Sequence, residues 1–218
     1  MAGAGFPAAD GVAVVRAMIA AIEDSAKDLS AIDGATGDGD HGVNMAKGFA
    51  LCGQRLDAGS AGFAEALGVL GGVLMTEIGG AMGPLYGSFF EEMGRAGANA
   101  PEITPEVLGR MLKAGKDAVV DLGGATVGDK TMVDALAPAV DAFEKARVSG
   151  ADFPACLNAM AAAAEAGKEA TRGLVAKLGR ASRLGERSRG TLDAGAASCA
   201  LLLATLARSV TGLLRPRS

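Results

Sequence analysis

The chain has 218 residues, half of them apolar but only 4% aromatic, with no tryptophan. At this length a single domain over residues 1–218 is expected. The net charge of −4 excludes a typical nucleic-acid binder, which would display a basic surface. The longest uncharged run, residues 194–207, is too short to span a membrane. Three widely spaced cysteines suggest buried free thiols, so a soluble cytoplasmic protein is expected.

Apolar residues recurring near every 3.6 positions predict eight helices. These cover approximately residues 10–30, 42–56, 60–78, 84–97, 104–121, 131–147, 153–178 and 194–213. Thr104 and Pro105 are typical of a helix start, a capping hydroxyl followed by proline at the first helical position. No segment alternates with period two, so strands are not expected. The expected fold class is all-α, an up-and-down antiparallel bundle of eight helices.

The connections between the predicted helices are of two kinds. Those after the second, fourth and sixth helices look like ordinary turns, whereas the other four are rich in glycine and in polar functional groups. These four loops are residues 37–42, 79–84, 123–130 and 179–195. Alternate connections of an up-and-down bundle lie at the same end, so the four loops are expected to form one ligand site there.

The first loop concentrates carboxylates. Asp38 and Asp40 alternate with glycines, and Asp33 precedes them, so the backbone can curl until the three side chains converge. Converged carboxylates repel by roughly 3–4 kcal/mol per pair at an effective dielectric of 20, and they need a cation. An all-oxygen ligand set suits Mg²⁺, which often completes its shell with substrate phosphates. The loop therefore predicts a Mg-nucleotide site, with a solvated capped turn as the alternative.

The other three loops carry groups that suit phosphate. Residues 79–84 put glycines ahead of a proline-started helix, which exposes backbone N–H donors. Residues 128–134 place a lysine and a threonine at a helix start, without the spacing of a P-loop. Residues 179–190 carry four arginines, whose guanidinium groups bind phosphate oxygens in pairs. Each loop alone also fits an exposed turn, but their expected position beside the aspartates favours phosphate binding.

Four segments, residues 37–45, 80–87, 128–136 and 184–188, closely resemble the nucleotide-binding L subunit (DhaL) of dihydroxyacetone kinases. They occur in the family's order across essentially the whole chain. The resemblance implies an eight-helix antiparallel barrel with ATP or ADP and two Mg²⁺ ions at one end. It also implies a separate K subunit that holds dihydroxyacetone covalently.

The resemblance further implies roles by position. Asp33, Asp38 and Asp40 would bind the two Mg²⁺ ions and, together with Arg180, form the catalytic group. The residues that would contact the nucleotide are His41, Gly42, Asn44, Met45, Gly80, Ala81, Met82, Gly123, Thr131, Met132, Arg180, Asp193 and Gly195.

The implied activity is that of a phosphotransferase subunit, active only with a K-type partner, on dihydroxyacetone or a related ketose. Two sources of the phosphoryl group fit equally well. Either ATP exchanges as a normal substrate, or tightly held ADP is rephosphorylated in place by a phosphocarrier protein of the phosphotransferase system. A homodimer is also left open. At four positions this chain departs from the family. The family usually has serine where this chain has Met82, tyrosine where it has Arg183, histidine where it has Thr191 and proline where it has Ala194. These departures keep a non-catalytic nucleotide-sensing subunit as an alternative. A fatty-acid kinase nucleotide domain is less favoured, because His41 follows the second aspartate.

Overall fold

The computed structural model describes residues 5–57 and 62–214. Over these residues the chain forms nine α-helices: α1 (Val12–Asp24), α2 (Ala26–Gly34), α3 (His41–Asp57), α4 (Phe63–Glu77), α5 (Met82–Gly97), α6 (Pro105–Gly123), α7 (Val133–Val148), α8 (Phe153–Ala170) and α9 (Ala194–Leu213). Short 3-10 turns precede α1 (Ala8–Gly11) and follow α8 (Thr171–Gly173 and Arg180–Ser188).

The helices pack in a closed ring. From α3 onward each helix contacts the next, and α9 returns to contact α1, which packs on α3. Helix α2 continues from α1 and lies against α3 and α9. The predicted all-α antiparallel barrel is therefore confirmed, with α1 and α2 together in the place of its first helix.

Three details of the predicted elements were wrong. The first predicted helix breaks at Ser25, whose φ of −96° and ψ of 3° separate α1 from α2. The seventh ends at Ala170, because the chain becomes extended at Leu174. Two short antiparallel strands, β1 (Phe6–Pro7) and β2 (Glu102–Ile103), were not expected, because two-residue strands are too short to show alternation. Residues 60–61 of the third predicted helix lie outside the described residues.

Helix α9 is both long and apolar. Among the described residues it alone has the length and apolar character to cross a membrane, but 61% of its most apolar stretch is buried inside the protein. It contacts α1, α7 and α8, so it is a core helix of the barrel. Its Cys199, like Cys52 and Cys156, is buried and unpaired, as predicted.

Glycine permits a close approach of α3 to α2. A Cβ atom on Gly42 would lie 1.8 Å from the carbonyl oxygen of Ala26, which leaves no space for any side chain. Gly42 is the last residue of the first predicted ligand loop. Gly42 therefore fixes the angle at which α3 leaves that loop.

Candidate functional site

All four glycine-rich loops meet at one end of the barrel, as their alternation in sequence predicted. They enclose a cavity of about 580 Å³. Residues from each loop line it, among them Asp33, Gly37 and His41, Ala81 and Met82, Gly123, Lys130, Thr131 and Met132, and Arg180, Asp193 and Gly195.

The acidic loop brings its three carboxylates together. One oxygen each of Asp33, Asp38 and Asp40 lies within 4.8 Å of the others. Gly39 turns the backbone with a φ of 76°, and Oδ2 of Asp33 accepts a hydrogen bond from the backbone N–H of His41 at 3.3 Å. Three converging carboxylate groups form a donor set that fits a hard divalent cation such as Mg²⁺.

Arg180 connects the fourth loop to the acidic loop. Its guanidinium donates through Nη1 to Asp38 and through Nη2 to Oδ1 of Asp40, the latter at 3.2 Å. The side chain is about half exposed and also lines the cavity. Arg180 therefore places a positive charge at the edge of the cavity beside Asp38 and Asp40.

His41 lies at the start of α3 and is held by a buried hydroxyl pair. Its Nε2 is 2.9 Å from Oγ of Ser198, which is 2.7 Å from the hydroxyl of Tyr86. The Tyr86 hydroxyl also donates to the backbone oxygen of Gly195 at 3.1 Å. Burial lowers the pKa of His41, and the charge of Asp33 opposes that shift. The neutral imidazole is therefore favoured.

The third loop is shaped by Asp134. Its Oδ1 accepts from the backbone N–H of Gly128 at 2.6 Å, and its Oδ2 accepts from that of Thr131 at 2.7 Å. Lys130 lies between these two residues, and its Nζ donates to the backbone oxygens of Thr171 and Thr191. The exposed turn that the sequence left open for this loop is therefore wrong for Lys130, which is 2% exposed.

Asp193 closes the cavity next to α9. Its Oδ2 caps the helix by accepting from the N–H of Ala196 at 2.7 Å, and its own N–H donates to Oγ1 of Thr171. Burial raises the pKa of its carboxyl group to about 6. Gly195 follows, and a Cβ atom there would lie 3.4 Å from Met132, so the start of α9 is in close contact with the start of α7.

The rest of the cavity lining is mainly apolar. Leu85, Val119, Ala125 and Val133 line it together with Leu122, which is 55% exposed. The cavity thus combines carboxylates and an arginine with an extensive apolar wall. Such a division suits a ligand with one charged part and one flat or apolar part.

Comparison with known proteins agrees with this geometry. The profile of the DAK2 domain matches residues 35–208. The chain belongs to the DAK2 domain family. This DAK2 domain is 40% identical, over 193 residues, to the ADP-binding subunit DhaL of PEP-dependent dihydroxyacetone kinase 2 from Listeria innocua, covering 87% of this chain and 89% of that protein. It is 37% identical to the corresponding subunit of Escherichia coli, over 82% of this chain and 86% of that one.

Longer relatives contain this domain as one part. The D-erythrulose kinase of Mycolicibacterium smegmatis is 35% identical over 89% of this chain, which covers 34% of that enzyme. The crystal structure of the dihydroxyacetone kinase from C. freundii in complex with AMP-PNP and Mg²⁺ superposes with a TM-score of 0.67 at 28% identity. That match covers 91% of this chain but 33% of the larger one.

Not every residue assigned by resemblance lines the cavity of this DAK2 domain. Asp38 and Asp40 lie beside it, in contact with Arg180. Outside the described lining are Gly42, Asn44, Met45 and Gly80. Met45 is fully buried in the core, and the N–H of Asn44 donates to the backbone oxygen of Asp40.

Sequence reasoning missed two residues beside the cavity. Neither Ser198 nor Tyr86 was assigned a role, although together they hold His41. Tyr86 had a signal, since it is the chain's only tyrosine and lies in the second resembling segment. Ser198 had none, because it is one small residue in an apolar helix.

Proposed function

We propose that this DAK2 domain is the nucleotide-binding subunit of a dihydroxyacetone kinase, transferring a phosphoryl group to dihydroxyacetone or a related small ketose held by a separate K-type subunit. The observation that carries the proposal is the convergence of Asp33, Asp38 and Asp40 at one end of a cavity with an extensive apolar wall. The names of the Listeria innocua and Escherichia coli relatives, which are ADP-binding subunits of nearly equal length, support it.

Asp33, Asp38 and Asp40 are the proposed ligands of two Mg²⁺ ions. Bound Mg²⁺ would neutralise the phosphate oxygens and stabilise the charge that develops during phosphoryl transfer. The structure with AMP-PNP and Mg²⁺ supports a metal-nucleotide complex in this family. Arg180 would leave part of its contact with Asp38 and Asp40 to bind phosphate oxygens, for which its paired N–H donors are suited.

The remaining lining residues would contact different parts of the nucleotide. Ala81 and Met82 stand at the start of α5, where backbone N–H groups and the helix dipole favour phosphate. Gly123, Thr131 and Met132 lie at the apolar wall, which would hold the base and ribose. His41, kept neutral by burial, can present an N–H donor to an anionic ligand.

The acceptor belongs to another polypeptide in this proposal. The relatives of nearly equal length are named as subunits, and the longer ketose kinases devote about two thirds of their length to sequence without a counterpart here. The words "PEP-dependent" and "PTS-dependent" in the names of relatives support a phosphocarrier protein as phosphoryl donor. A cytoplasmic location and a single domain over residues 1–218 complete the proposal.

The nucleotide carried by the purified protein tests this function. Denaturation, chromatography and metal analysis would give the nucleotide and its Mg²⁺ ratio. Stoichiometric ADP is expected if a phosphocarrier protein recharges the site, whereas an empty site that binds ATP only with Mg²⁺ indicates an exchanging kinase. Absence of nucleotide binding under both conditions would overturn the proposal.

A transfer assay separates the kinase from the non-catalytic alternative. Met82, which lines the cavity where the family usually has serine, is the observation that keeps the alternative in view. Phosphorylation of dihydroxyacetone or erythrulose should appear when a K-type subunit is added. Tight Mg-nucleotide binding without transfer to any ketose would instead assign a sensing subunit.

A further inference from the structure

The buried side chain of Lys130 has no part in the chemistry proposed above. Its backbone has a φ of 63°, which residues with a Cβ atom rarely adopt, and its side chain is 2% exposed. A lysine is almost never buried to this degree unless its ammonium group is bound by partners. Burying the ammonium group costs solvation free energy, which an apolar side chain at the same position would not.

The partners of Lys130 lie at the two ends of one connection. Its Nζ donates to the backbone oxygen of Thr171 at 2.7 Å and to that of Thr191 at 2.6 Å. Thr171 directly follows α8, and Thr191 precedes the cap of α9, so the two contacts span the α8–α9 connection, residues 171–193. One ammonium group thus joins the third loop to both ends of the α8–α9 connection.

The α8–α9 connection carries the groups that face the cavity from this side. Arg180 lies within it and Asp193 is its last residue, and both line the cavity. Thr171 is held a second time, because its Oγ1 accepts the N–H of Asp193 at 3.0 Å. The contacts of Lys130 therefore fix the base of the segment that brings Arg180 to the site.

We infer that Lys130 is a positioning residue that holds the α8–α9 connection closed over the cavity and so slows release of the nucleotide. The identity of the ligand as a nucleotide rests on the proposed function, whereas the contacts of Lys130 do not. Its ammonium group donates hydrogen bonds to backbone oxygens at both ends of the connection, and its side chain also lines the cavity. The positioning effect acts through the connection that carries Arg180 and Asp193. Loss of Lys130 should weaken nucleotide retention while the barrel stays folded.

A second lysine offers a matched control. Lys177 also joins the third loop to the α8–α9 connection, through a 2.9 Å ion pair with Asp129, but its side chain is 63% exposed. Exposed ion pairs contribute little, because solvent screens them. Lys177→Met should therefore leave nucleotide release within about twofold of the unsubstituted protein.

The test compares Lys130→Met with Lys177→Met in the full chain by two measurements. Hydrogen exchange should accelerate over residues 171–193 in Lys130→Met alone, and its dissociation constant for Mg-ADP should rise about tenfold or more, as expected for loss of charge-assisted bonds. If Lys130→Met does not fold, Lys130→Gln, which is one atom shorter and uncharged, should show the same changes to a smaller degree.

The outcomes separate the two proposals. Unchanged exchange over residues 171–193, or unchanged Mg-ADP affinity in a folded Lys130 variant, would overturn the role of Lys130. If the unsubstituted protein binds no nucleotide, the proposed function fails, and the exchange measurement alone then decides whether Lys130 closes the connection.

Discussion

The hydroxyl of Tyr86 lies 2.7 Å from Oγ of Ser198, which places α5 in direct polar contact with α9. Because Ser198 also contacts His41, this one buried pair joins three helices at the cavity end of the barrel. Tyr86 is fully buried, and burial raises the pKa of its hydroxyl well above the usual value, so it stays protonated and able to donate. The chain's only tyrosine and only histidine are thus parts of one network.

Tyr86→Phe should lower the free energy of unfolding by about 1–2 kcal/mol, because it removes one partner from a buried hydroxyl pair. Ser198→Ala should cost a similar amount. In the double variant the losses should be clearly smaller than their sum, since the two side chains are in contact. Urea denaturation followed by far-ultraviolet circular dichroism measures all three. Strict additivity would show that the pair contributes nothing as a pair.

Asp38→Asn should abolish Mg²⁺-dependent nucleotide binding while leaving helicity intact. The substitution removes one carboxylate from the proposed ligand set and one charge from the contact with Arg180. Isothermal titration with Mg-ADP is the measurement. Asp28→Asn is the control, since Asp28 is an exposed carboxylate on the neighbouring helix α2. This variant should bind nucleotide normally. Undiminished affinity in Asp38→Asn would refute the metal assignment.

The contribution of Asp193 to the stability of the protein should fall as the pH rises from 4 to 6. Its pKa is about 6 in the folded protein, against 3.8 as the ordinary value, so in this interval the folded state binds more protons than the unfolded state. Its contribution is therefore fully present at low pH and lost as pH rises through 6. Asp193→Asn keeps a good helix cap but removes the titration.

The difference in the free energy of unfolding between Asp193→Asn and the unsubstituted protein should therefore depend on pH. A shift of roughly two pKa units corresponds to about 3 kcal/mol, so the variant should gain stability relative to the parent by that order between pH 4 and 7. Thermal or urea unfolding across this range gives the difference directly. A difference that stays constant with pH would contradict the raised pKa.

Gly42→Ala should destabilise the protein by about 1–3 kcal/mol or more, because its Cβ atom would overlap the backbone oxygen of Ala26. Gly53→Ala lies on the same helix, and its nearest neighbours, atoms of Ile19, are 3.9 Å away. That control should be neutral or stabilising by up to about 1 kcal/mol, since alanine favours helix. Equal stabilities of the two variants would show that α3 can move away from α2.

Periodicity predicted the barrel well, because almost every helix buries one face and exposes the other. It failed where local conformation decided the outcome. The break at Ser25 lies within a continuous amphipathic pattern, and Thr171 ends α8 although the apolar pattern continues beyond it. The pairing of Phe6 with Ile103 depends on residues 97 positions apart in the chain, which no local pattern reveals.

The site was predictable where topology and composition fixed it. Alternate loops of an up-and-down barrel must share an end, and glycine beside aspartate permits the carboxylates to converge. The burial of Lys130 and its contacts were not predictable, because its partners are backbone oxygens, which every residue possesses. The contact between His41 and Ser198 spans 157 positions and likewise has no local signature.

The ring of helices closes only when α9 packs against α1. Asp33 and His41 line the cavity from the first fifth of the chain, whereas Asp193 and Gly195 line it from the start of α9. A ribosome has therefore released the acidic loop long before it releases the residues that face it. During synthesis the carboxylates are therefore made before the residues of the opposite wall, and the cavity cannot form until Asp193 and Gly195 have been added.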